Sequence, residues 1–531
     1  MSLKKNSIVT LLKTNYLLII IVIVSSFIYC TNLGGRYYTN DEPETVLFGK
    51  TILKFGLPLA WDGKSLHSGS QGLDFHIING YYLWNYHPWL QFYLAALGLL
   101  FGTSPAVVRL PFALFGVATI VVTYFLSMEL FKSRFVSFLV SLQLIFLMPF
   151  FLYMRQVRYY SPDVFFYLVV LWLMIRLHNK KWTTKEYFYF ALAGFFLFLT
   201  NYVTWVAVIL SITIFVLWKR CLDKKLIGII FFQILFAGTW YLILQPYHGH
   251  VTLAQGGNNY LIHAIHYLSY INSFLFSFLL LPFVFIVAKK QSSFWILSLW
   301  ISAYLLISII FLDPHGRYLM NITPLLMLLY GYIYAFLLSI KHNGTLQRLA
   351  YAGLLVVFLV TLTSNVLGQL PWIMTKSSHV RLQPFPEEFY YELTGYYPSM
   401  QQSLAKFLLN NNSPRDLSWS NGYDDDIYNL TGISRISPIC DTNSKKYIGP
   451  SSVTNPNKIK LFIFYHDFNK IQSLSEDPCL GPKWQKILNK NYKKVQFSLK
   501  NVYLPNDTDI VSHDFPPFKA DPDEITIYEK K

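Results

Sequence analysis

The sequence predicts a polytopic α-helical membrane protein of about eleven transmembrane helices, followed by an extracytoplasmic α/β domain. The 531-residue chain is 53% hydrophobic and 18% aromatic but only 14% charged, a composition typical of proteins that cross the membrane many times. Apolar segments long enough to cross about 30 Å of hydrocarbon recur up to about residue 370. Beyond that point apolar residues give way to Asn, Asp, Ser and Pro.

Apolar segments of about 20 residues, the length that crosses the bilayer core, recur along the first two thirds of the chain. The boundary at Thr200 and Asn201 is the least distinct of the set. The predicted spans are 15–33, 107–130, 135–153, 163–177, 187–200, 201–218, 226–245, 268–288, 293–312, 319–340 and 349–368.

Lysine and arginine form small clusters in every second gap between these spans, beginning with Lys4, Lys5 and Lys13. Because positive loops remain cytoplasmic, the alternation predicts a cytoplasmic N-terminus and an extracytoplasmic C-terminal region, with the cell membrane as the expected location. The net charge of +16 therefore reflects topology, and its scatter disfavours a nucleic-acid partner. A cleaved signal peptide is the alternative for residues 1–30, but Tyr29-Cys30-Thr31 is a poor cleavage site.

The chain is predicted to divide into two parts. Residues 1–370 form a transmembrane domain with a large first extracytoplasmic loop at about 32–104, and residues 371–531 form a soluble α/β domain. Cys440 and Cys479 lie in this second part and can pair if it is outside the cell. Periodicity and β-branched or aromatic runs predict a helix at Ser399–Leu409 and strands at Ile459–Tyr465, Lys494–Ser498 and Ile525–Tyr528.

Two adjacent acids, Asp41 and Glu42, follow the first apolar segment in a chain that keeps most of its charge at segment ends. A carboxylate pair at the outer membrane surface indicates chemistry there. The alternative is structural: Asn40 or Asp41 caps the next helix, with Pro43 in its first turn and Glu44 favoured by the helix dipole.

Several weak motifs then occur in a characteristic order. They are Asn40-Asp41-Glu42, His87-Pro88, Val108-Arg109-Leu110-Pro111, the stretch Arg155 to Asp163, and Gly316-Arg317-Tyr318 before Pro324. Over roughly residues 10–340 this order resembles the type C (GT-C) glycosyltransferases. Within them it is most similar to the protein O-mannosyltransferases and the bacterial aminoarabinose transferases of lipid A. The resemblance implies a GT-C fold and an enzyme that moves a sugar from a polyprenyl-phosphate donor to a protein, lipid or glycan acceptor on the extracytoplasmic face.

Such a transfer requires a base near the acceptor hydroxyl and positive charge where the leaving phosphate forms. The first acid of this loop is tied to catalysis in the family, which makes Asp41 the expected base and Glu42 its catalytic neighbour. Mutual repulsion and burial predict a raised pKa for this pair.

Donor-phosphate contacts are expected at residues from several motifs. Arg317 and Tyr318 match the Arg-Tyr pair that the family associates with the donor phosphate, although an arginine reaching lipid headgroups is an alternative. Arg158 and Asp163 are further candidates, with helix capping as the alternative for Asp163. His87 is a weaker candidate, since the motif departs from the family pattern at Trp89. Arg109 is expected to hold the second span at the headgroups.

No cofactor is firmly predicted, although a divalent metal ion is considered. The outer loop Pro246–His266 carries His248, His250, His263 and His266, and a histidine pair with an acid binds such ions. Interfacial histidines without a metal are the preferred interpretation. A transporter or flippase of lipid-linked saccharide is the alternative function. It would place ionisable residues in the middle of spans, whereas here they collect at the outer ends.

Overall fold

The protein is described by a computed structural model that covers residues 2–38, 41–67, 75–179, 181–219, 223–245, 260–312, 315–340, 344–363, 385–395, 400–420, 424–437, 439–465, 474, 477–499 and 523–531. Its first part contains α1 (Ser2–Cys30), α2 (Glu42–Phe55), β1 (Phe75–Ile78), β2 (Tyr81–Trp84), α3 (Leu90–Leu99), α4 (Pro105–Phe131), α5 (Arg134–Ile145), α6 (Met148–Met154), α7 (Tyr160–Asn179), α8 (Thr184–Thr200), α9 (Tyr202–Lys219), α10 (Lys224–Leu244), α11 (Tyr260–Tyr270), α12 (Leu281–Ala288), α13 (Ser292–Phe311), α14 (Thr323–Ser339) and α15 (Gly344–Thr363).

Among the described residues, five helices are long and apolar enough to cross a membrane, and bent helix pairs raise the number to seven. The chain is therefore a polytopic membrane protein. Each of the eleven predicted spans coincides with a helix or helix pair, but several of these helices are short, so the count of eleven stays a prediction. The shorter apolar helices are Asn15–Cys30, Leu90–Leu99, Thr323–Ser339 and Gly344–Leu359.

Two predicted spans are not straight helices. The span at 135–153 is the pair α5 and α6, bent by 71°, and the span at 268–288 belongs to a helix pair bent by 83°. Pro149 and Pro282 lie in the first turns of α6 and α12. A proline has no N–H for the helix ladder and disfavours helix in the residue before it, which explains the restart at α6. In the second pair the break lies earlier, at Phe276 and Ser277, whose backbones are extended.

The membrane helices pack around α4, which contacts α1, α5 and α7. Helix α2 packs on α3, and α3 packs on α4. The first turn of α2 thereby lies near the N-terminal ends of α4 and α7. A six-residue 3₁₀ helix, Gly316–Asn321, leads into α14 and also contacts α7.

The second part of the chain contains a five-stranded mixed sheet. Its elements are α16 (Phe385–Thr394), α17 (Met400–Asn411), β3 (Leu417–Ser420), α18 (Asp424–Thr431), β4 (Ser434–Arg435), β5 (Cys440–Asp441), β6 (Lys446–Tyr447), β7 (Ile459–Tyr465), α19 (Lys483–Asn491), β8 (Tyr492–Leu499) and β9 (Asp523–Lys530). The strand order is β4-β3-β7-β9-β8. Strands β4, β3 and β7 are parallel, and β9 runs antiparallel to both β7 and β8.

The central strand β7 alternates its side chains between two apolar clusters, as the period of two requires. Leu461 and Ile463 pack with Leu404 and Leu408 of α17. Phe462 and Phe464 pack on the other face, in a cluster that also contains Phe48 and other residues of the first outer loop. The sheet and the segment between α1 and α4 therefore share one core, so residues far apart in the sequence are held together.

A disulfide joins Cys440 and Cys479, whose Cα atoms are 5.9 Å apart. Disulfides persist in oxidising compartments, so this pair agrees with an extracytoplasmic location for the second part of the chain. The orientation itself stays a prediction.

Candidate functional site

Asp41 stands at the N-cap position of α2, but its side chain makes no capping hydrogen bond. Its Oδ2 lies 3.1 Å from Nη2 of Arg158 and 3.4 Å from Nη1 of Arg317. The side chain is 38% exposed, so a molecule outside the protein can reach it. The carboxylate is thus directed at two cations, which argues against capping as its role.

Arg158 is the most buried of the three residues, with 4% of its side chain exposed. Besides Asp41, its guanidinium contacts Glu44 Oε1 at 3.3 Å, Thr45 Oγ1 at 3.2 Å and His87 Nε2 at 3.0 Å. A guanidinium only donates hydrogen bonds, so these acceptors hold it in one orientation. Arg158 is therefore a buried, fully oriented cation in contact with the carboxylate of Asp41.

His87 has a defined role in this arrangement. Burial, together with the nearby charge of Arg158, lowers the pKa of His87 well below its usual value, so the ring is neutral at pH 7. Because Arg158 must be the donor, Nε2 accepts and the ring proton lies on Nδ1. His87 therefore orients Arg158 through Nε2. The predicted contact of His87 with the donor phosphate would have to use the other ring nitrogen, as a hydrogen bond donated by Nδ1–H.

Arg317 approaches the site from the 3₁₀ helix before α14, and 23% of its side chain is exposed. Its guanidinium lies 5.2 Å from the ring centre of Tyr318, with Nη2 3.5 Å from the hydroxyl oxygen. The preceding residue, Gly316, lies so close to Tyr270 that a Cβ at this position would overlap the tyrosine ring. This close packing places the Arg317 backbone beside α11.

The expected raised pKa of the acid pair is wrong. Burial opposes ionisation of Asp41, but the charges of Arg158 and Arg317 outweigh it and hold its pKa below the ordinary value. For Glu42, burial is likewise outweighed by Arg109, and its pKa is also lowered. The sequence shows the two acids side by side, but it does not show that each has a separate cationic partner.

The side chain of Glu42 is directed away from Asp41 and toward Arg109, so its expected catalytic role stays a prediction without a contact to the Asp41 site. Its side chain is fully buried and receives two hydrogen bonds from Arg109, at 2.9 and 2.6 Å, and one from the backbone N–H of Val157. Arg109 also donates to the carbonyls of Leu33, Arg36 and Tyr37. Arg109 is only 2% exposed, so its expected place at the lipid headgroups is wrong as well.

Asp163 is also a structural residue. It is 1% exposed and accepts hydrogen bonds from Thr200 Oγ1 at 3.2 Å, Thr204 Oγ1 at 2.8 Å and Asn321 Nδ2 at 2.8 Å. In the described part of the chain no ion pair joins it to either arginine of the site. Asp163 ties α7 to the 3₁₀ helix that carries Arg317, and its phosphate contact stays a prediction.

Glu44 and Thr45 were missed as members of the site. They follow Asp41 by three and four residues, so α2 presents all three on one face. That spacing is visible in the sequence, but only the position of Arg158 shows that this face is the functional one.

The metal prediction is tested only in part, because residues 246–259 lie outside the described residues. His263 is 5% exposed, and its Nδ1 lies 3.4 Å from the carbonyl oxygen of Ile309. One cluster of metal-ligand side chains occurs elsewhere in the described chain, formed by Cys440, Asp477 and Cys479. Its two sulfurs form the disulfide, so they are not available as thiolate ligands.

Comparisons with known proteins agree with the resemblance. A family model described as dolichyl-phosphate-mannose-protein mannosyltransferase matches residues 86–245. No curated protein sequence matches the chain. The crystal structure of ArnT from Cupriavidus metallidurans in the apo state is similar, with a TM-score of 0.57 and 11% identity over 97% of this chain and 98% of that chain. The same protein bound to undecaprenyl phosphate matches with a TM-score of 0.56, the same identity and the same coverage of both chains. These matches confirm the resemblance to GT-C glycosyltransferases and the GT-C fold.

Proposed function

We propose that this protein is an integral-membrane glycosyltransferase. It transfers a sugar from a polyprenyl-phosphate donor to an acceptor on the extracytoplasmic face, with Asp41 as the base. The observation that carries the proposal is the convergence of one exposed carboxylate and two guanidiniums, from α2, the α6–α7 connection and the 3₁₀ helix before α14. The solved complex of ArnT with undecaprenyl phosphate supports a lipid-linked donor for a chain of this fold.

In the proposed reaction an acceptor hydroxyl attacks the anomeric carbon while Asp41 takes its proton. The bond from that carbon to the phosphate oxygen breaks, and its electron pair remains on the phosphate, which gains negative charge. A single displacement of this kind inverts the configuration at the anomeric carbon. Arginine binds phosphate oxygens through paired N–H groups, so Arg317 and Arg158 stabilise the leaving phosphate.

The two arginines have a second effect on the reaction. In the structure they hold Asp41 as a carboxylate, so the base is already deprotonated before the substrate arrives. A donor phosphate that engages Arg317 would share the charge that now lowers the pKa of Asp41. Asp41 would then become a stronger proton acceptor when the donor is in place.

The proposal is tested with the full-length protein in nanodiscs and a panel of polyprenyl-phosphate-linked sugars, with a membrane lipid and glycan extract as acceptor. Release of polyprenyl phosphate and the labelled product are measured. We expect turnover of at least one donor by the wild type, and a loss of about 10²–10⁴-fold in Asp41→Asn, the usual contribution of general base catalysis. Glu129→Gln, which changes an acid that pairs with Lys132 away from the site, serves as the control.

Unchanged turnover in Asp41→Asn would remove Asp41 as the base. Movement of an intact lipid-linked saccharide across the bilayer, without release of polyprenyl phosphate, would instead support the transporter alternative. Binding of undecaprenyl phosphate by Asp41→Asn should persist, which separates a catalytic defect from loss of the fold.

A further inference from the structure

A cavity of about 460 Å³ lies between α2 and α18, outside the site around Asp41. Its volume is in the range of small-molecule binding sites. The first outer loop and the second part of the chain both contribute to its walls. The lining residues are Leu47, Lys50, Thr51, Lys54, Asp62, Gly63, Lys64 and Tyr428.

Three lysines line this cavity, and hydrogen bonds to neutral oxygens hold each of them in place. Lys50 Nζ lies 2.8 Å from Asn429 Oδ1, Lys54 Nζ lies 2.9 Å from the Asp62 carbonyl, and Lys64 Nζ lies 2.6 Å from the Gly432 carbonyl. An ammonium has three donors, so each lysine retains donors for a ligand. In the described chain none of the three has a carboxylate within 4.0 Å.

The charge of Asp62 favours the ammonium form of Lys50. In the described chain, however, its carboxylate forms no ion pair with the three lysines, because other groups hydrogen-bond to it. Its Oδ1 accepts hydrogen bonds from the backbone N–H groups of Lys64 and Ser65, at 2.7 and 2.8 Å. Its Oδ2 accepts a hydrogen bond from the Tyr428 hydroxyl and lies 3.7 Å from His67 Nε2. Among the described side chains that line the cavity, three ammonium groups therefore face one carboxylate, and that carboxylate is hydrogen-bonded within its own loop.

The partial burial of Lys50 makes its positive charge energetically unfavourable unless an anion is bound nearby. Lys50 is half-buried, and its desolvation lowers the pKa of its ammonium group. A charge taken out of water is unfavourable without a partner of opposite sign. An oxyanion in the cavity would supply that partner for all three lysines.

The cavity is too far from Asp41 to hold the reacting phosphate. Lys50 and Lys54 follow Asp41 by nine and thirteen residues along α2, which at 1.5 Å per residue is about 14–20 Å. The cavity and the base are nevertheless carried by the same helix, so a ligand held there has a constant distance to the reaction centre.

We propose that this lysine-lined cavity binds a phosphate group of the acceptor and selects phosphorylated acceptors for the transfer. The proposal rests on the proposed function and specifies its substrate class. It also assigns a role to the second part of the chain, because Tyr428, Asn429 and Gly432 complete the site. Lysine binds phosphate as a point charge without strict geometry, which suits recognition of a group remote from the reacting hydroxyl.

The test uses the full-length protein in nanodiscs of phosphatidylcholine, with glucose 1-phosphate as the probe and glucose as the uncharged comparison. Binding is measured by calorimetry, and the accessibility of Lys54 and Lys64 is measured by acetylation and mass spectrometry. We expect glucose 1-phosphate, but not glucose, to bind and to protect both lysines. Lys486 and Lys490 on α19, which are exposed, should be modified equally with and without the probe.

Variants with matched charge separate a specific site from general attraction. Lys54→Gln/Lys64→Gln should weaken binding about tenfold or more, since two charge-assisted hydrogen bonds are lost. Lys486→Gln/Lys490→Gln should bind as the wild type does, and Lys54→Arg/Lys64→Arg should retain most binding, which shows that the charge matters and that the fold is intact. Equal binding by the two Gln variants, or no binding by the wild type, would overturn the proposal.

Two further measurements identify the source of the phosphate and separate this proposal from the proposed function. Protection of Lys54 and Lys64 by phosphatidylglycerol discs alone, with no effect of glucose 1-phosphate, would assign the cavity to lipid headgroups and overturn the acceptor assignment. Asp41→Asn should bind the probe normally, because Asp41 does not line the cavity. Loss of transfer and loss of probe binding are thus independent results.

Discussion

Asp41 and Arg317 are 276 residues apart in the sequence, yet the carboxylate oxygen of one lies 3.4 Å from a guanidinium nitrogen of the other. This pair joins the first turn of α2 to the 3₁₀ helix before α14. Arg158 lies against the same oxygen. The outer ends of three separate segments are therefore tied together by one carboxylate.

The lowered pKa of Asp41 predicts a specific pH profile. Since the two arginines favour the carboxylate, Asp41 stays deprotonated down to below about 4, the ordinary pKa of an aspartate. We expect kcat/KM to show no loss from protonation of Asp41 between about pH 5 and 7. Removing one cation should raise the pKa, so Arg317→Ala should move the acidic limb to higher pH. If the acidic limb of the wild-type kcat/KM profile lay near neutral pH and disappeared in Asp41→Asn, the lowered pKa of Asp41 would be contradicted.

Replacing Arg317 and replacing Arg158 should have different effects on donor binding and on thermal stability. Arg317 is partly exposed and has few partners, so Arg317→Ala should raise KM for the donor about 10–100-fold, as expected for lost hydrogen bonds to a charged group, and leave the fold intact. Arg158 is buried with four partners, so Arg158→Ala should also lower the melting temperature. Donor kinetics and thermal unfolding distinguish the two.

A matched control for both arginines is Arg176→Ala, which removes a guanidinium that pairs with Glu186 at the other end of α7. Its donor KM should be unchanged. A loss in Arg317→Ala confined to acceptor affinity would argue against donor binding by that residue.

The buried pair of Glu42 and Arg109 should act on stability. Glu42→Gln leaves the charge of Arg109 buried and uncompensated, which typically costs about 3–5 kcal/mol. Glu129→Gln breaks an exposed pair with Lys132 and should cost no more than about 1 kcal/mol. Thermal unfolding of both variants in the same nanodiscs checks the difference. Normal stability with lost turnover in Glu42→Gln would support a catalytic role for Glu42.

The contact of Gly316 with Tyr270 should be necessary for the position of Arg317. In Gly316→Ala the new Cβ would overlap the Tyr270 ring, so the backbone or the ring has to move. We expect weaker donor binding, partly restored by adding Tyr270→Ala. At Gly353 a Cβ would have no neighbour within 4 Å, so Gly353→Ala should be neutral or slightly stabilising in its helix. Full activity of Gly316→Ala alone would contradict this role.

The class of the protein is predictable from the sequence because the signals for it are local. Apolar segments of about 20 residues are read directly from the chain, since lipid leaves no other partner for their backbone than the helix itself. The bend before Pro149 is also a local effect, although a hydropathy window does not detect it. The strand at Ile459–Tyr465 has the bounds predicted for it, because a strand buried on both faces has a nearly continuous run of apolar residues, and such a run can be recognised in the sequence.

Only the tertiary structure determines which arginine pairs with which carboxylate at the site. Asp41 and Glu42 are adjacent, but helix packing brings Arg158 and Arg317 to the first and Arg109 to the second, so one acid faces solvent and the other is enclosed. By itself the sequence determined a many-span membrane protein with acids and arginines at its outer ends. Which of these charges meet depends on contacts between residues dozens to hundreds of positions apart, and no local pattern encodes such contacts.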